Sequence, residues 1–155
     1  MLAAIGRFEE AIQEARQATE IDPNYPSSYI YLAFIYQAKG QFKQAIKYLE
    51  KSVSIFPHPF RIANLGMIYG AAGRQADAAR ILEELTELSR RAYVSPLAFA
   101  TIHQGMGDVE NWRKTMQASF EERSGLLAYL KSAPWHDPMR SDPFFQELVG
   151  KVGLP

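Results

Sequence analysis

The sequence predicts an all-α fold, an array of antiparallel helix pairs closed at its C-terminal end by a capping helix. Three observations predict it. Gly6, Gly40, Gly73 and Gly107 recur at spacings of 34, 33 and 34 residues, and self-similarity at a period of roughly 20–50 residues marks a stacked repeat. Small residues keep the same register: Ala11, Ala45 and Ala78 follow three of those glycines by five positions, with Trp112 as the fourth, and Ala33, Gly66 and Ala100 precede the last three by seven. Pro23 and Pro57 close the first two units, where Arg90 and Ser124 stand in the later ones.

Each unit reads as two helices joined at its glycine, which takes the left-handed conformation at a helix end without a Cβ penalty. Leu32 and Tyr36 are i and i+4 and share one helix face. The small residues let the second helix of a pair come close. Asp22-Pro23 and Phe56-Pro57-His58-Pro59 each stop one unit before the next begins. The expected helices cover about Phe8 to Glu20, Pro26 to Lys39, Phe42 to Ile55, Pro59 to Ala72, Gln75 to Arg91, Ser95 to Met106 and Val109 to Arg123. In the tail, Asp142 suits an N-cap and Pro143 the first helical position. Phe145, Leu148, Val149 and Val152 then form a one-sided apolar helix, ended by Gly153 and Pro155. Leu126, Leu127, Tyr129 and Leu130 are expected to help bury it, with Trp135 over the seam.

The pattern resembles the tetratricopeptide repeat, a 34-residue unit reading W-x2-L-G-x2-Y, A-x3-F, P. The best-fitting unit has Tyr29, Leu32, Ala33, Tyr36, Gly40, Phe42, Ala45, Leu49, Ser52 and Pro57. The resemblance implies a right-handed superhelix. It divides the chain into a partial first repeat at 1–25, repeats at 26–58 and 59–92, a degenerate repeat at 93–126 and a cap at 127–155. From Tyr93 onward, Tyr93-Val94-Ser95-Pro96, Gly107-Asp108, Glu121-Glu122-Arg123-Ser124 and Asp137-Pro138-Met139-Arg140-Ser141-Asp142-Pro143-Phe144 are similar to the last repeat and cap of bacterial regulatory members. That likeness implies a parent with a kinase, cyclase or winged-helix regulator. His103 and Trp112 depart from the pattern.

Composition narrows the function. Of 155 residues, 47% are apolar and 22% charged, so the chain folds. Lys plus Arg is 17 and Asp plus Glu is 17, a balance that argues against a nucleic-acid partner, whose binding is driven by phosphate neutralisation. No apolar run approaches the roughly 20 residues that span a bilayer, and the start lacks a basic region, so the chain reads as soluble, untargeted and cytoplasmic. With no Cys there is no thiolate metal site or cysteine nucleophile.

No catalytic or cofactor constellation is recognised, and the expectation is a chain without enzyme activity, cofactor or metal. His58, His103 and His136 are far apart, and His103 sits in a core column. Glu9-Glu10, Glu83-Glu84 and Glu121-Glu122 are helical neighbours that do not face each other. Gly105-Met106-Gly107 lacks the third glycine and preceding strand of a dinucleotide loop.

The expected function is protein interaction. The first helices of stacked pairs line a concave side. Their second stripes hold the candidate partner-binding residues Ile30, Tyr31, Phe34 and Gln37, then Phe60, Asn64 and Met67, then Leu97 and Thr101. A contiguous apolar groove marks a binding site, here for a helix or an extended peptide. Tyr31, Phe34 and Met67 would anchor it and Asn64 would hydrogen-bond its backbone. The other reading is that the superhelix, or the tail folding back, buries this stripe. Of the carboxylate-holding groups found in chaperone-binding members, only Asn64 has a match. At the other end, Leu2, Ile5, Phe8 and Ile12 form an edge without a neighbour. This makes the chain a fragment, covered by another chain or self-associating as a homodimer through that edge, or else one with a short, frayed start.

Overall fold

The computed structural model describes residues 7–131 and 134–153, without the side chains of 134 and 135. Among them are eight α-helices: α1 (Phe8–Ile21), α2 (Pro26–Ala38), α3 (Phe42–Ile55), α4 (Pro59–Ala71), α5 (Gln75–Ser89), α6 (Pro96–Met106), α7 (Val109–Glu121) and α8 (Pro143–Val152). No strand occurs among the described residues. Helices α2 and α3, α4 and α5, and α6 and α7 form closely packed pairs, and successive pairs stack into a solenoid. Gly6, Leu2, Ile5 and Pro155 lie outside the described residues, as does the side chain of Trp135.

Local sequence sets the helix ends. Proline opens α2, α4, α6 and α8, where its fixed φ suits the first turn and its missing N–H costs nothing. Ser95, Asp108 and Asp142 each cap a helix by accepting a backbone N–H, from Leu97, Asn111 and Phe144. His58 Nδ1 does the same for Phe60 N, at 3.2 Å. Gly40, Gly73 and Gly107, with φ between 70° and 77°, make the turn inside each pair.

Two apolar clusters hold the array. The larger runs from α1 to α6 and is centred on Leu32, Ala33, Leu49, Ala63, Ile68, Leu85 and Ile102. The smaller joins Leu97, Ala100, Trp112 and Met116 to the tail residues Leu127, Leu130, Met139, Phe145 and Leu148. Trp112, where a small residue is the norm, is fully buried, edge-on to Phe144 and stacked at 6.4 Å on Phe145. Arg113 clamps the N-cap of α8 through a 2.7 Å ion pair with Asp142.

Two expectations are corrected. The segment Gly125–Tyr129 is a 3-10 turn. Leu127 and Leu130 point inward, but Leu126 and Tyr129 are exposed and do not help bury the tail. At the other end, Ile12 is only 5% exposed and Phe8 packs against the same core. These two residues of the expected apolar edge are already engaged. The outward side of α1 is polar: Glu9, Glu10, Gln13, Glu14, Gln17 and Glu20 are all exposed.

Candidate functional site

The first helices of the three pairs, α2, α4 and α6, carry all nine candidate residues. Helical periodicity sorts their second stripes into two columns about 100° apart on each helix. One holds Ile30, Phe34 and Gln37 on α2, Ala63, Met67 and Gly70 on α4, and Leu97, Thr101 and Gln104 on α6. This is the forward column, facing the next pair. The other holds Tyr31, Ile35 and Ala38, then Asn64, Ile68 and Ala71, then Ala98, Ile102 and Gly105. It faces the preceding pair. The sequence-level stripe merged the two.

The contact between α4 and α6 shows the columns meeting. A Cβ built on Gly105 would stand 2.2 Å from the carbonyl oxygen of Met67 and 2.5 Å from its Cα. One on Gly70 would stand 2.5 Å from the carbonyl carbon of Gly105. The two backbones touch, and the seam is closed. Helices α2 and α4 hardly approach each other at backbone level. In the same columns they carry Phe34, Gln37 and Ala71 where the closed seam has Met67, Gly70 and Gly105, and this bulk keeps them apart.

Met67 (2% exposed) and Leu97 (5%) are therefore interior residues and not partner anchors. Met67 lies under Gly105, and Leu97 belongs to the tail cluster. Thr101 is half-buried, its Oγ1 donating to the Leu97 carbonyl oxygen at 2.8 Å. Phe60, also half-buried, packs against both clusters. Ile30, Phe34, Gln37 and Asn64 are half-buried along the wide seam, while Tyr31 is 67% exposed.

A family pattern described as "Tetratricopeptide repeat" matches residues 2–66, and a second of the same description matches residues 61–95. The chain belongs to the tetratricopeptide-repeat family. It is also similar to the TPR repeat-containing protein MJ1428 of Methanocaldococcus jannaschii, with 25% identity over 118 residues that take in 74% of this chain and 21% of that protein. Repeats of this family mediate protein–protein interaction. Among the described residues no helix is long and apolar enough to cross a membrane, and no group of three or more His, Asp or Glu could hold a metal.

In this tetratricopeptide-repeat chain the tail takes the place of a further pair. The 3-10 stretch Pro134–Met139 brings His136 Nδ1 to 3.4 Å from Gln104 Oε1 in the forward column of α6. His136 is buried, and its ring lies 6.0 Å from Phe145. Burial, aided by the Arg140 charge, pushes its pKa down to about 4. His103, buried beneath α7 with Nδ1 3.3 Å from Asp108 Oδ2, is also lowered by burial, with the Asp108 carboxylate opposing. Unfolded histidine takes its proton near pH 6.5. The folding stability that rests on neutral His136 is therefore complete above that pH and is lost as pH falls toward 4. A loss of about 3 kcal/mol is expected across this window. Urea unfolding at stepped pH measures it, and His136→Gln should flatten most of the slope.

Sequence reasoning missed Gly70 and Gly105 as contact residues. A signal was present: glycine inside a helix is destabilising by about 0.5–1 kcal/mol relative to alanine. Two of them, in columns where the earlier helices have Gln37, Ala38 and Ala71, called for a packing reason.

Proposed function

We propose that this chain is a protein-interaction module, serving a scaffold or regulatory role without chemistry of its own, whose partner segment enters the wide seam between α2 and α4. Ile30 and Phe34 supply the apolar contacts, and Gln37 and Asn64 offer amides to the backbone of an extended or helical peptide. One observation carries this reading. Of the three forward columns, that of α4 is shut by α6 and that of α6 is covered by the tail, while that of α2 stays accessible. No charged residue stands in either wall column of the seam, so the segment it suits is apolar.

Affinity capture from native lysate, comparing wild type with Phe34→Asp and with Asn64→Ala, tests it. A partner held by wild type is expected to bind at least about tenfold more weakly to Phe34→Asp, which is about 1.4 kcal/mol, and measurably more weakly to Asn64→Ala. Helicity should stay unchanged in both. A charge at Met67 would be no test, because it would break the closed seam. Equal retention of the same partner by all three proteins would remove the seam from consideration.

A further inference from the structure

We propose that the rim formed by the turns between successive pairs is a second docking surface, and that it takes an extended acidic segment of a partner protein, with an acidic residue at every third position. This rim runs along the ends of the helices. It is separate from the α2–α4 seam and does not rest on it.

The chain reverses at every turn, so the turns that lead from one pair to the next all lie at one end of the helices. They cover residues 22–25, 56–58, 90–95 and 122–124. The last three share two features. Each has an exposed apolar side chain: Phe56, Tyr93 and, just past the fourth turn, Leu126. Each also has, in the turn or within one helical turn of it, an arginine without an acid partner among the described residues: Arg61, Arg91 and Arg123. Every other arginine holds a carboxylate or, at Arg16, a tyrosine hydroxyl. Arg61 Nε is buried without a hydrogen-bond partner among the described residues, and its guanidinium lies over the Phe56 ring, 5.0 Å from the centroid. Stacking on a ring uses the face of a guanidinium and leaves its N–H edge for a carboxylate.

The acids of this part of the rim are already engaged. Glu87 pairs with Arg90 at 2.8 Å, Glu122 accepts the Tyr93 hydroxyl at 2.8 Å, and Glu121 accepts from Gln117 at 2.9 Å. The first turn has Glu20 and Asp22 beside it and no cation, so the surface begins at the second turn. The opposite rim, with turns at 39–41, 72–74 and 107–108, lacks both features. There Lys39 pairs with Glu9 and Arg74 with Asp77, and Val109 is the one exposed large apolar residue among the described ones. Unpaired arginine beside exposed apolar surface is thus particular to one rim.

Charge and spacing define the occupant. The second and third turns lead into α4 and α6, whose backbones touch, and the third and fourth are tied together by the Tyr93–Glu122 hydrogen bond. Packed helices lie about 8–10 Å apart. A polyproline-type chain has three residues per turn and rises about 3.1 Å per residue. Acids three apart on it therefore face one side at about 9 Å intervals, in step with the helices that carry the arginines. The apolar residues between those acids meet Phe56, Tyr93 and Leu126. An anionic membrane or a phosphodiester strand, charged throughout, would also meet Glu87 and Glu122 on the same rim. The chain as a whole, with 17 cationic and 17 acidic residues, has no excess charge to draw such a polyanion in. A peptide of this period can leave the rim acids unopposed.

The test titrates a labelled peptide of four Glu-Leu-Pro repeats with the full chain and follows fluorescence anisotropy. Saturable one-to-one binding is expected, and it should be lost when glutamine replaces every glutamate of the peptide. Arg91→Gln and Arg123→Gln should each weaken it about three- to fivefold, the scale of an exposed ion pair. Adding Arg61→Gln to both should weaken it about tenfold or more. Arg91 and Arg123 are exposed, so their substitution leaves the fold intact. Lys43→Gln removes the same charge from an exposed site on α3 and should leave the affinity within about twofold, because a distant exposed charge is screened. Phe34→Asp should leave it equally unchanged. The proposal is overturned if the glutamate peptide gives no saturable binding, if the glutamine peptide binds as well, or if Lys43→Gln costs as much as Arg91→Gln. Loss with Phe34→Asp and not with the triple variant would place the peptide in the α2–α4 seam, overturning the rim while supporting the seam. Co-sedimentation with phosphatidylserine–phosphatidylcholine vesicles should retain no protein. Retention that disappears in the triple variant would put a membrane on this rim and overturn the peptide.

Discussion

Gly105→Ala should destabilise the protein by about 3 kcal/mol, at the upper end for overpacking a core. The added methyl would meet the Met67 carbonyl oxygen and Cα, at 2.2 and 2.5 Å. These are backbone atoms of a packed helix, so no side chain can rotate away. Helices α4 and α6 would have to separate along their length, and the buried residues of that seam, Ala63, Met67, Ala98 and Ile102, would lose contact together. Gly150→Ala is the control. It lies in α8 with nothing within 4 Å of a Cβ, so it should gain about 0.5–1 kcal/mol from helix propensity alone. Urea denaturation separates the two: the midpoint should move in opposite directions with little change in slope. A Gly105→Ala midpoint equal to wild type would show that the backbones do not touch.

Trp112→Ala should cost about 3–5 kcal/mol, the range for emptying a large aromatic site. Trp112 of α7 lies in the smaller cluster with Leu97 and Ala100 of α6 and meets both Phe144 and Phe145 of α8. Its removal should loosen the tail before the rest of the array, so amide exchange should rise first in Pro143–Val152. Trp112→Phe should cost much less. It keeps the ring stack and also removes an indole Nε1–H that is buried without a hydrogen-bond partner among the described residues, a group whose desolvation costs about 1–3 kcal/mol. Equal losses for Ala and Phe would mean that the ring itself does not hold the tail.

Much of the fold was legible because the cues are local. Proline at helix starts and glycine at turns placed α3 at Phe42–Ile55 as expected, whereas α5 and α7, whose units lack the closing proline, end at Ser89 and Glu121, two residues before the expected bounds. The tail was less legible. Leu126, Leu127, Tyr129 and Leu130 were all expected to bury the capping helix, but the segment Gly125–Tyr129 has three residues per turn, so Leu127 and Leu130 share the inner face while Leu126 and Tyr129 are turned out. The candidate site was half legible. Periodicity found the residues of the second stripe but could not show which neighbour each column would meet. That depends on whether two backbones approach closely enough to touch, which at Gly70 and Gly105 is decided by the absence of side chains. Met67 and Leu97 were assigned to a groove because burial by a neighbouring helix leaves no mark on their own helix.

The unequal seams have a consequence for how such a chain can change shape over generations. The α4–α6 seam is set by contact between main chains and has one width. The α2–α4 seam is set by side-chain volume at Phe34 and Gln37, so its width follows whatever residue stands there. The pitch of the array can therefore be retuned by point substitution, with no insertion or deletion and no cost to the α4–α7 block beside it.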